Sequence, residues 1–122
     1  MAGQHVHPQL AREIIGKAIA NAQRIDQLLR AIEEAEDRLA KVRKEINGYE
    51  QQVVAALNIL QHKGDIAPLV KAAAILEHAE PILRNCQNAL NGFIAELDKR
   101  LRERHEIVAT LSKLGKQGPS IK

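Results

Sequence analysis

Every seventh residue from position 11 is apolar: Ala11, Ala18, Ile25, Ile32, Leu39, Ile46, Val53 and Leu60. Three places further on stand Ile14, Asn21, Leu28, Ala35, Val42, Tyr49 and Ala56, a second apolar row whose one polar member is Asn21. Two such rows make the a/d seam of a helix that packs along another helix. Near its start the face is widened by a third row, Ile15, Ala22 and Leu29, which turns charged further on as Glu36, Arg43 and Glu50. A wide face suits more than one neighbour, whereas a narrow one suits a two-helix seam.

The second half repeats the pattern. Leu69, Leu76, Leu83, Leu90, Leu97 and Leu111 share one seven-residue row, interrupted by Arg104, and Ala72, Ala79, Cys86, Phe93, Ile107 and Leu114 run beside it. The pattern predicts two long helices, over about 9–62 and 66–114, roughly 80 and 75 Å long at 1.5 Å per residue. Between them, Gly64 supplies a left-handed helix end, Asp65 a cap, and Pro68 a first-turn residue whose missing N–H costs little. Pro81 is expected to kink the second helix, since Leu76 and Leu83 stay in phase across it. Asn91-Gly92 is the place where a true break would give three helices. The expected fold is all-α: an elongated antiparallel helical hairpin with its second helix kinked at Pro81, or a three-helix bundle. Residues 1–122 read as one helical domain, with 1–8 and 115–122 as flexible tails.

Composition narrows the function. The chain has 122 residues, 45% of them apolar and 2% aromatic. That is enough for a packed core, but Tyr49 and Phe93 alone are too few aromatics for a protein that stacks bases or sugars. Residues 1–61 carry eight basic and eight acidic side chains, residues 62–122 ten and seven. The net excess of three does not make the basic stripe of a nucleic-acid binder. No apolar stretch approaches the ~20 residues of a membrane span, and the polar Met1–Pro8 segment does not read as a secretory signal. A single cysteine, Cys86, excludes an intramolecular disulfide and suits a reducing compartment, so a cytoplasmic protein is expected.

Chemistry is sparse. His5 and His7 share a tail and lack the three or four fixed ligands of a metal site. His62 closes a helix, where an imidazole suits the dipole. Cys86 beside the leucine row reads as a small buried side chain, with no base at helical spacing to activate it. No phosphate loop, nucleophile elbow or paired metal-binding motif occurs, so no enzyme, metal or cofactor is expected. Charge runs remain, at Glu33–Lys44 and Lys99–Glu106. They read as solvated faces with i,i+4 pairs Glu34–Arg38, Asp37–Lys41, Glu96–Arg100 and Asp98–Arg102, or as partner-binding strips. Arg100 and Arg104 favour the second reading, because they stand in apolar rows.

The second helix runs from Gly64 through Lys71-Ala72-Ala73-Ala74-Ile75-Leu76 to Pro81-Ile82-Leu83-Arg84-Asn85-Cys86-Gln87 and Leu90. The first contains Lys41-Val42-Arg43-Lys44-Glu45-Ile46-Asn47-Gly48-Tyr49-Glu50. Over about residues 38–101 these segments resemble tubulin-binding cofactor A, a family of small all-helical tubulin chaperones. The proline comes three residues earlier than in that family, Arg84-Asn85 replaces its Pro-Asp, residues 1–25 have no counterpart, and the basic Arg100–Arg104 end differs from its acidic ending. The resemblance implies a non-catalytic chaperone that captures β-tubulin during folding or recycling. Lys44, Glu45 and Glu50 are its candidate contacts, with Arg100 and Arg104 added from the charge pattern. The alternatives are a structural coiled-coil subunit that dimerises into a four-helix bundle, and a helical chaperone or inhibitor of bacterial or phage type.

Overall fold

A computed structural model describes residues 8–117. The fold is all-α: α1 spans Pro8–Lys63 and α2 spans Ala67–Gln117, joined by a three-residue turn into a helical hairpin. The histidines His5 and His7 and most of the expected tails lie outside the described residues. The helices exceed their expected ends slightly, since Pro8 opens α1 and α2 runs through Gly115 to Gln117. Proline suits a first helical position, where its fixed φ is already right.

The turn forms as its residues dictate. Gly64 has a φ of 72°, and its N–H donates to the Leu60 carbonyl at 2.9 Å. This left-handed cap ends α1, and glycine is the residue that adopts it without a Cβ clash. The Ala67 N–H then donates to Asp65 Oδ1 at 3.0 Å, satisfying one of the orphan donors at the start of α2. His62 Nδ1 donates to the Asn58 carbonyl at 2.9 Å in the last turn of α1.

α2 is unbroken at both of its weak points, as the unbroken leucine phase leads one to expect. Helix continues without interruption through Asn91-Gly92, so the three-helix alternative does not form among the described residues. It also continues through Pro81, where the exposed ring projects away from the buried rows. A proline removes one backbone hydrogen bond, but the leucine and alanine rows on either side hold the segment in phase.

The hairpin is organised in two compact units. The turn unit comprises Ile32–Gly92, and the terminal unit comprises the chain up to Ala31 and from Phe93 onward. In the turn unit, Ala35, Leu39, Ile46, Ala56, Ala72, Ala79 and Leu90 are buried. Leu83 and Cys86 are half-buried in the same rows. Four of these seven buried residues are alanine, whose small side chains let two helices approach closely. In the terminal unit the buried residues are Asn21, Ile25 and Leu28, and Leu28 alone is fully buried. Every one of these positions belongs to the two rows read from the sequence.

Candidate binding surfaces

Three surfaces carry the chemistry of the described residues. The first is a polar layer inside the terminal unit. Arg24 grips Glu96 with two parallel bonds, Nε to Oε2 at 2.6 Å and Nη2 to Oε1 at 2.7 Å. Such a fork fixes geometry as well as charge. Arg100 Nε lies 3.6 Å from the same Glu96 oxygen, and its Nη1 donates to Glu103 Oε2 at 3.0 Å. Asn21, 3% exposed, donates from Nδ2 to the Arg100 carbonyl at 2.9 Å. A buried amide on a helical seam lets the helices pair in the register that satisfies it.

The hydrogen bond from Arg24, helped by the charges of Arg24 and Arg100, holds the Glu96 carboxyl below the usual carboxylate range against the opposing effect of desolvation. The guanidinium of Arg24 is raised in turn by its bond to Glu96. A carboxyl depressed in the folded state contributes stability above its unfolded value, and that contribution is lost as pH falls through its folded value. The urea midpoint of the wild type is therefore expected to drop below about pH 4.5, and Glu96→Gln to flatten that part of the profile. Parallel profiles for the two proteins would show that the pair does not report on folding.

The second surface is an apolar flank of the terminal unit, formed by Ile15, Ala22 and Leu29 on α1 and Ile94, Leu101 and Val108 on α2. All but the half-buried Leu101 are exposed.

The third lies in the turn unit. A shallow groove of about 210 Å³ is lined by Val42, Glu45, Ile46 and Tyr49 of α1 and by Ile75, His78, Ala79 and Ile82 of α2. Lys44, Glu45 and Glu50 are exposed, and their side chains take no hydrogen bond or ion pair among the described residues. On a neighbouring face, Arg43 Nη2 donates to Gln87 Oε1 at 3.4 Å, and Gln87 Nε2 donates to Asn91 Oδ1 at 3.0 Å.

The residues singled out from the sequence do not converge on one site. Glu45 reaches the groove with Tyr49, but Glu50 stands about 140° further round α1 at 100° per residue, and Lys44 points between them. Arg104 is exposed, and Arg100 is drawn into the polar layer. Glu96–Arg100 and Asp98–Arg102 form as expected, the latter at 3.2 Å. Glu34–Arg38 and Asp37–Lys41 do not form, while Asp26–Arg30 does, at 2.9 Å. Exposed pairs of this kind are worth little, so side-chain entropy decides which of them close.

Sequence reasoning missed Arg24–Glu96. Its signal was present: Arg24 and Glu96 flank their seams on the same side once the helices are set antiparallel. Among the described residues, no group of three or more His, Cys, Asp or Glu side chains could hold a metal ion, and no helix is long and apolar enough to cross a membrane. No protein-family model, curated protein or solved structure matches the chain.

Proposed function

We propose that this chain is a non-catalytic binding protein of chaperone type, working in the cytoplasm, that holds a protein partner on the helix surfaces of the turn unit. The observation that carries this reading is the groove of the turn unit. Glu45 and Tyr49, from the segment that resembles tubulin-binding cofactor A, meet Ile75, His78 and Ile82 there. An apolar floor with one exposed carboxylate, Glu45, at its edge suits a protein ligand. The apolar contacts hold it, and exposed charges steer and select it. The resemblance makes β-tubulin the partner to test first.

The experiment is gel-filtration capture of β-tubulin released from its heterodimer, at low and at moderate salt. A complex that weakens with salt is the expected result. Reversal of both charges, Lys44→Glu with Glu45→Lys, is expected to weaken it about tenfold, in line with rim charges that act mainly on association. Helicity by circular dichroism should be unchanged, because both side chains are exposed. Absence of a complex with folded wild-type protein at either salt would remove β-tubulin as the partner.

A further inference from the structure

We propose that the apolar flank of the terminal unit seats a second copy of this chain, giving a four-helix bundle over residues 11–31 and 93–114. The ion pair Arg24–Glu96 fixes which side of the unit this is. Leu29 lies five residues from Arg24 and Leu101 five from Glu96, about 140° round each helix. With the ion pair closing one flank, the rows of Ile15, Ala22 and Leu29 and of Ile94, Leu101 and Val108 come together on the other. Ile15, Leu29, Ile94 and Val108 are 55%, 52%, 47% and 56% exposed.

Three observations choose the occupant. Apolar residues at a, d and one neighbouring row are the pattern of a bundle helix, whereas a two-helix seam needs only a and d. In the turn unit the same rows are interrupted by Glu36, Arg43 and Glu50 on α1 and by Glu80 and Gln87 on α2, which leave only Leu57 and Ala73 apolar, so the continuous wide pattern belongs to the terminal unit. Next, the flank spans two helices at once and holds no charge. A two-fold copy therefore brings two helices of the same breadth and sets no like charges face to face.

The third observation is area. The exposed parts of Ile15, Leu29, Ile94 and Val108 amount to roughly 400 Å² of apolar surface per chain, about half of the ~800 Å² per partner of a standard stable interface, as suits a dimer that dissociates on dilution. Among the described residues of the terminal unit only Asn21, Ile25 and Leu28 are buried, so covering the flank supplies the second layer that a helical core requires. The inference does not rest on the tubulin reading, which uses the turn unit.

The test is gel filtration with light scattering on the full chain across micromolar concentrations. The expected mass is twice 13.5 kDa. Ile15→Glu with Val108→Glu should return it to 13.5 kDa with the helical spectrum retained. The milder Ile94→Ser should raise the dissociation constant and keep the protein folded. Val70→Glu, at a position of the turn unit that is 59% exposed, should leave the dimer intact. A wild type of 13.5 kDa at every concentration would overturn the proposal, as would a dimer that Val70→Glu breaks and the flank variants do not. A dimer without tubulin capture removes the proposed partner and leaves this inference standing; a monomer that captures tubulin does the reverse.

Discussion

Leu28→Ala is expected to destabilise the protein by about 2–5 kcal/mol, the range for removing a buried leucine whose surroundings close only partly. Leu28 is the one described side chain with no exposure, and it stands one helical turn from Ile25 and two from Asn21. Asn21 cannot move into the space without losing its bond to the Arg100 carbonyl, so the cavity would stay largely open. Measured as a urea midpoint at fixed protein concentration, the shift should exceed that of Leu83→Ala, because Leu83 is only half-buried. A midpoint for Leu28→Ala equal to the wild type's would contradict the seam that places this residue between the helices.

Pro81→Ala is expected to act in the opposite direction. Pro81 sits in the interior of α2, fully within helix and exposed. It offers no N–H to the Glu77 carbonyl, and its ring crowds that carbonyl, at a cost of ~3 kcal/mol relative to alanine. Proline also restricts the unfolded chain, which returns about 0.4–1 kcal/mol. The net gain from alanine is then about 2 kcal/mol. It should appear as a higher urea midpoint together with stronger hydrogen-exchange protection over residues 77–85. An unchanged midpoint would mean that neighbouring side chains already relieve the backbone at this position.

The helices and their ends were legible because their causes are local. Seven-residue spacing reports which side of a helix is buried whatever lies opposite, so Leu39, Ile46 and Leu90 could be placed in the core from the sequence alone; Leu83, expected there by the same spacing, is only half-buried. Gly64 and Asp65 mark the turn through their own backbone and side-chain chemistry. Pro81 was harder to read. Its local cost argues for a break, but the unbroken phase of Leu76 and Leu83 predicts that α2 runs through it, and it does.

The candidate surfaces were less legible, because they depend on which residue of α1 faces which residue of α2. Arg24–Glu96 and the meeting of Tyr49 with His78 follow from that register and from nothing nearer in the chain. Asn21 was visible as the polar exception in its row, but its partner, a backbone carbonyl 79 residues away, carries no sequence signal.

That separation bears on how the chain finds its fold. A contact between residues 72 or 79 positions apart requires closing a long loop, and each doubling of loop length adds about 0.6 kcal/mol of entropic cost. Contacts beside Gly64 close loops of only a few residues. Once they exist, each further layer of the hairpin extends a helix pair already in place. On loop-closure grounds, contacts beside Gly64 are expected to form before the layer of Asn21 and Arg24. Substitutions near the turn should act mainly on the folding rate, and those around Leu28 mainly on the unfolding rate.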